Sequence, residues 1–299
     1  MIKSVCIIGY GSIGKKHHKI ISSIFKKEKV YIYSRRKLKI KNLLSNLDDI
    51  KKINPDYFII CSETSSHLLH LNMINNNFFN KIILVEKPLS NKKILTKKIN
   101  NKIFIAYNLR FNQIIEDLKK ISNNKKFWYV KIQCSSYLPS WRTNDYKKSY
   151  SAIKTRGGGV LFDLSHEIDY AFFLFGKLKI KSVFLKKISN LKINSDDILN
   201  FHGVSKNVKN IIISLNYFSK FQERKIMIYG NDIQIEADLL NKFIKIIKNN
   251  KIKKQNYKFS QLDSYKKMHI NIFRNNFKSF SNFRESINLN NILLDINSK

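Results

Sequence analysis

The N-terminal part of this chain alternates short apolar runs with amphipathic segments, and few folds accept that order. VCIIGY, VYIYS, YFIICS, KIILV and IFIAYN are apolar nearly throughout, as expected of strands covered on both faces. Between them GSIGKKHHKIISSIF, SSHLLHLNMI and LSNKKILTKKI read as helices, the second capped by Thr64 or Ser65. Such alternation predicts an α/β, doubly wound parallel sheet ending near residue 110. The texture then changes. A helix around 111–121 leads into FWYVKIQCSSYL, IKSVFLKKI, VKNIIISLNYF, RKIMIYGN and DIQIEAD, joined by short polar turns. These predict an open, mostly antiparallel sheet with Gly230-Asn231 as a hairpin turn, closed by a helix from Leu262 to about Phe280.

Gly9, Gly11 and Gly14 form GxGxxG between the first strand and the first helix, with Tyr10, Ser12 and Ile13 completing the turn. The first glycine permits the tight turn, the second lets the main chain approach a pyrophosphate, and the third allows close helix-to-strand packing. The phosphates would sit on the free amides of the helix N-terminus. The domains expected are therefore a dinucleotide-binding Rossmann domain over 1–110 and a substrate-binding and oligomerisation domain over 111–299. At the end of the second strand, YIYSRRK places Ser34, Arg35 and Arg36 where a carboxylate would favour an unmodified ribose. A hydroxyl and guanidinium groups suit a 2′-phosphate, so NADP is the expected cofactor and NAD the alternative.

The segment GGGVLFDLSHEIDY, 157–170, puts bare backbone directly ahead of ionisable groups. Its glycines leave room for a ligand to approach the main chain. Asp163 and His166 are three apart, so on one helix they are neighbours, with Asp169 three further on. The alternative is a glycine turn entering an amphipathic helix that packs Leu161, Phe162, Leu164, Ile168 and Phe172 inward. Lys87 leaves a buried strand and precedes Pro88, unlike the scattered surface lysines. Tyr137, Trp141, Arg142, Tyr146 and Tyr150 lie in one long loop, where rings could stack on a sugar and Arg142 could hold a carboxylate or phosphate. Packing or dimer contacts explain those aromatics equally well.

The net charge of +35 points at first to a polyanionic partner. The lysines, however, spread over the whole length beside an excess of Asn, Ile, Phe and Tyr, all with AT-rich codons. Nucleotide bias accounts for them, and no nucleic-acid partner is expected. Runs such as KIIKNNKIKK look like solvated faces. Three widely spaced cysteines, Cys6, Cys61 and Cys134, form no metal or disulfide pattern, no metal is expected, and a reducing, cytoplasmic setting fits. No apolar stretch approaches membrane-spanning length and the start runs straight into a strand, so neither a membrane nor a signal peptide is expected.

Taken in order, GYGSIGKKH, SETSSH, EKP and the glycine run with its acid and histidine resemble the Gfo/Idh/MocA family of NAD(P)-dependent oxidoreductases, over essentially the whole chain. The resemblance implies activity on sugars, cyclitols and related polyols. It adds Thr64, His67, Glu86 and Lys87 to the cofactor-binding residues, matches His17 to a histidine usual after the glycine turn, and places Arg110, in the segment entering the second domain, among the substrate-binding residues. It implies that Lys87 reaches the reacting hydroxyl beside the nicotinamide, that His166 is the catalytic acid and base, and that Asp163 orients it or binds substrate. The Lys87-Pro88 bond is of a kind the family often shows as cis. One departure stands out: the family places the aspartate four residues before the histidine, whereas Asp163 is three before His166. DLSHEIDY with YLPSWRTNDYKKSYSA is similar to a subgroup of bacterial surface-glycan and nonulosonate sugar pathways, which implies an activated or acidic sugar. The family resemblance also implies a homo-oligomer, a dimer or tetramer. A regulator or scaffold that binds NADP without chemistry is the other functional class.

Overall fold

A computed structural model describes residues 2–94, 99–141 and 145–298. They form two compact units. One contains the residues as far as Phe111 together with Gln261–Asn290, the other Asn112–Ser260 and the residues from Asn291 onward.

In the first unit β1 (Val5–Ile8), α1 (Ser12–Ile24), β2 (Val30–Tyr33), β3 (Leu43–Leu44), α2 (Leu47–Ile53), β4 (Tyr57–Ile60), α3 (His67–Asn77), β5 (Ile82–Val85) and β6 (Lys102–Ile105) follow one another. The sheet order β6-β5-β4-β1-β2-β3 is parallel at every step. Every position of β1, β4 and β5 is buried, which is why these strands show no polar alternation. β3 and α2 carry too little periodicity to be expected; α2 is held at its start by Asn46, whose side chain accepts the Asp49 amide at 2.8 Å. α3 begins after a 3-10 turn at Thr64–Ser66, and neither Thr64 nor Ser65 caps it. The helix expected from Leu89 is absent over 89–94, and its remainder at 95–98 lies outside the described residues.

The second unit runs α4 (Gln113–Ser122), β7 (Phe127–Tyr137), α5 (Val160–Asp163), α6 (His166–Phe175), β8 (Lys179–Lys186), β9 (Ile198–Ser205), β10 (Val208–Asn216), β11 (Phe218–Tyr229), β12 (Ile233–Asp238), β13 (Phe243–Lys248) and β14 (Lys251–Asn256). Its eight strands are ordered β14-β13-β12-β11-β7-β10-β9-β8, antiparallel except between β7 and β10. Val183, Phe201, Ile213, Ile132, Ile226, Ala237 and Ile244 stand in register across the sheet on the face that α5 and α6 cover. The adjacent row, Phe184, Asn200, Ser214, Gln133 and Lys225, points the other way and is polar apart from Phe184. Gly230-Asn231 lies in the β11–β12 hairpin as expected. The lysine run at 245–254 is a second hairpin, with β14 exposed at every position.

The C-terminal segment departs from the sequence expectation. α7 (Gln261–Phe273) stops short of Phe280, because Asn275 takes a left-handed φ of 53°. β15 (Ser281–Asn282) then pairs antiparallel with β6, and α8 (Phe283–Asn297) follows. Tyr265, Met268, Ile272 and Phe280 share a core with Ile21, Tyr57 and Phe104. Gln261–Asn290 thus packs with the first sheet although it is distant from it in sequence, so the residues after Phe111 do not form a single continuous unit.

Candidate functional site

The glycines of the first turn differ in what surrounds them. A Cβ on Gly9, whose φ is +92°, would lie 2.9 Å from the Cys61 carbonyl and the Ser62 amide, and one on Gly14 would lie 2.2 Å from the Gly9 carbonyl oxygen. Both are glycine because the chain itself fills the space. Gly11 has an ordinary φ of −79° and nothing within 4 Å of its would-be Cβ. α1 begins there with no side-chain cap and no acidic residue in its first turn. Uncapped amides beside open space are what a dinucleotide pyrophosphate requires, and this turn fits one. The Tyr10 hydroxyl shares a hydrogen bond of 2.6 Å with His18 Nδ1, and burial lowers the pKa of that ring.

After β2, Arg35 and Arg36 are exposed, and Ser34 Oγ accepts the Arg36 amide at 3.2 Å. His70, on α3, shares a 2.9 Å hydrogen bond with Ser62; burial first, and then the nearby Arg35 charge, lowers its pKa. Sequence reading passed over His70, since a histidine inside LLHL gives no local signal.

Several residues expected at the cofactor or substrate turn inward instead. Glu86 is buried; one oxygen takes His17 Nε2 at 2.8 Å and the other accepts the Lys87 amide at 3.2 Å. His67 sits between the loops after β4 and β5, with Nδ1 2.9 Å from the Pro88 carbonyl and Nε2 3.0 Å from that of Ser62; burial lowers its pKa, and the neutral ring donates to one of the two. Thr64 is buried at the head of its 3-10 turn. Arg110 is 1 % exposed and donates from Nη2 to Glu285 at 2.7 Å, an ion pair inside the first unit. Lys87 is half-buried, and its bond to Pro88 is cis.

In the second unit the glycine run is used differently from the expectation. A Cβ on Gly158 would lie 2.1 Å from the Tyr150 carbonyl oxygen, and one on Gly159 would lie 2.6 Å from Asp196 Oδ1. At Gly158 and Gly159 the room expected for a ligand is taken by the chain. The Asp196 carbonyl accepts the Val160 amide at 3.0 Å and its carboxylate accepts the Leu161 amide at 3.3 Å, capping α5, while burial raises its pKa. The single helix expected from these residues is two: Asp163 ends α5, and His166 begins α6 after a break at Leu164 and Ser165. Asp163 therefore does not share a helix with His166. It accepts the Tyr217 hydroxyl at 2.5 Å, and Trp141 meets the Tyr217 ring edge-on at 5.2 Å between centroids. Asp163 and His166 are 6 % and 9 % exposed and Asp169 is fully buried. Arg142 lies outside the described residues.

Tyr217, Asp196 and the pair of buried Glu167 with half-buried Arg224 at 2.7 Å were not expected. A signal existed for the acids: with 21 Asp and Glu against 56 Lys and Arg, adjacent Asp196 and Asp197 stand out. Among the described residues no group of three or more His, Cys, Asp or Glu is arranged for a metal ion, and no helix is long and apolar enough to cross a membrane.

The parallel sheet with its open glycine turn is a Rossmann-type fold, and a unit built on a mostly antiparallel eight-stranded sheet follows it in the chain. Residues 3–98 match the Gfo/Idh/MocA oxidoreductase family model, whose NAD-binding part is a Rossmann fold. No curated protein matches the chain in sequence. Solved structures match its fold over nearly its full length. UDP-N-acetylglucosamine 3-dehydrogenase GnnA from Acidithiobacillus ferrooxidans is 13 % identical, with 99 % of this chain and 96 % of that one covered and a TM-score of 0.77. The WlbA dehydrogenase from Bordetella pertussis, solved with NADH and UDP-GlcNAcA, is 15 % identical, with 99 % and 95 % covered and a TM-score of 0.74. A super-repressor mutant of Gal80p from Saccharomyces cerevisiae is 14 % identical, with 99 % and 95 % covered and a TM-score of 0.77.

Proposed function

We propose that this protein transfers hydride between a nicotinamide cofactor and a secondary alcohol or ketone of a sugar derivative, nucleotide-activated or acidic. The observation that carries this reading is Gly11: open space beside an uncapped helix N-terminus, in residues that match an NAD-binding oxidoreductase family. When bound, the cofactor supplies the hydride chemistry. Gly9 to Gly14 hold its phosphates, and Ser34, Arg35 and Arg36 favour NADP over NAD by pairing with the 2′-phosphate. Lys87 donates a hydrogen bond to the reacting oxygen and steadies its negative charge. His166 takes or returns the hydroxyl proton, and Asp163, held by Tyr217, positions the sugar. Trp141 supplies an aromatic face. The GnnA and WlbA folds support a nucleotide-linked sugar as substrate.

The free, buried cysteines fit the cytoplasm, and exposed Phe184 on the open sheet row supports pairing of copies there. The second reading, a regulator that binds cofactor without chemistry, is favoured by the Gal80p fold. The deciding experiment is single-turnover loss of NADPH absorbance with a panel of keto-sugars and oxidised nucleotide sugars, beside Lys87→Ala and His166→Ala. Turnover by the natural chain with a loss of roughly a hundredfold or more in either variant supports the oxidoreductase. Tight cofactor binding without turnover supports the regulator, and tighter binding of NAD than NADP at fixed salt removes the 2′-phosphate assignment.

A further inference from the structure

Tyr57, His269, His17 and Glu86 form one hydrogen-bonded file inside the first unit. The Tyr57 hydroxyl is 2.9 Å from His269 Nδ1, His269 Nε2 is 2.7 Å from His17 Nδ1, and His17 Nε2 is 2.8 Å from Glu86 Oε1. The first three are 0 % exposed and Glu86 is 5 % exposed. With both rings neutral, only one arrangement of hydrogens satisfies every contact. The carboxylate accepts, so His17 carries its hydrogen on Nε2; its bare Nδ1 accepts from His269 Nε2–H, whose Nδ1 accepts from Tyr57. All donors point toward the carboxylate, so each bond polarises the next in the same sense. The other Glu86 oxygen accepts the amide of Lys87 at 3.2 Å, so the file ends on that residue's backbone.

Such a file is not needed to dock α7. Tyr265, Met268 and Ile272 already bury its inner face, and an apolar residue at 269 would avoid withdrawing an imidazole from water. Buried polar chains with every member satisfied fix orientation more than they add stability. His269 comes from a segment far along the chain, so the direction of His17, two turns into α1, is set by tertiary contact and not by its own helix.

We propose that His269 is a positioning residue: through the tautomer of His17 it holds Glu86, and with Glu86 the backbone amide of Lys87, in one orientation. Its catalytic consequence rests on the assignment of Lys87 to the reacting oxygen made above; the file itself does not.

The test is ¹⁵N NMR of imidazole tautomers in the full chain, with hydrogen exchange at the Lys87 amide, for the natural protein, His269→Leu and His269→Gln. Expected are neutral Nε2–H tautomers for His17 and His269 in the natural protein. In His269→Leu, exchange at Lys87 rises roughly tenfold and kcat falls about tenfold, with dinucleotide Kd little changed. Glutamine, which can donate to His17 Nδ1, restores both. A His17 found as Nδ1–H or as imidazolium in the natural protein overturns the file, and that measurement stands whether or not the leucine variant folds. Unchanged Lys87 exchange in a folded His269→Leu overturns the positioning role. The expected tautomers and exchange in a protein that turns over no sugar would support the file while sinking the oxidoreductase reading.

Discussion

Glycine in this chain has two opposite uses, and the difference is visible atom by atom. Gly9, Gly14, Gly158 and Gly159 are glycine because backbone or carboxylate atoms lie within 3 Å of where a side chain would begin, whereas Gly11 looks onto open space with a φ any residue adopts. Gly11→Ala is therefore expected to fold with an unchanged melting temperature and to bind dinucleotide about tenfold or more weakly, measured by fluorescence titration. Gly14→Ala is expected to lose about 3 kcal/mol or more of stability in denaturant unfolding, since the atom it meets is a backbone oxygen that cannot swing aside. The two triplets of small spacing look alike as letters. The place of GxGxxG between a strand and a helix was legible because it is local, while the surroundings of Gly158 and Gly159 depend on Tyr150 and Asp196, which no spacing rule connects to them.

Elements were legible where periodicity is unbroken, and less so where a short break matters. Five strands of the first sheet, β1, β2, β4, β5 and β6, and most of the second were readable from their apolar runs. The division between α5 and α6 was not, because apolar residues continue straight through Leu164 and mask the loss of helix at Ser165. Asp163 consequently takes its partner from Tyr217. The β13–β14 hairpin was hidden by its lysines, although its turn is chemically explicit: Asn249 and Asn250 have φ of 49° and 60°, the two positive values of a type I′ turn. Asn250→Gly is expected to hold or raise stability by up to about 1 kcal/mol, and Asn249→Val to lower it by about 1–2 kcal/mol, both read by chemical denaturation. β14 is an edge strand, and its exposed lysines guard it against pairing with another sheet. Part of the basic excess thus has a structural use whatever its codon origin.

At the scale of the whole molecule, the return of the C-terminal segment completes the first unit. A fragment of residues 1–111 leaves the core positions met by Tyr265, Met268 and Ile272 bare and is expected to remain partly unfolded by circular dichroism; joining residues 261–290 through a linker is expected to restore a cooperative transition. Acid adds a second whole-chain effect. Burial lowers the pKa of His18, His67, His70 and His269, so the unfolded chain binds their protons near pH 6.5 while the folded chain resists them. The stability held by these neutral rings is present above about pH 6.5 and is lost as pH falls toward the lower folded values. The melting temperature should drop between about pH 7.5 and 5.5, and His269→Gln should show a shallower drop; an equal slope in both would remove His269 from the effect. What the sequence by itself determined was local: strand and helix order, the glycine turn between β1 and α1, and the residue types at Lys87 and His166, each carried by spacing within one or two elements. Tertiary structure alone decided which glycine faces open space, that Arg110 answers Glu285, and that His17 meets His269 across 252 positions. Contacts of that kind are selected by packing and by the need to satisfy buried polar atoms, and neither leaves a period in the chain.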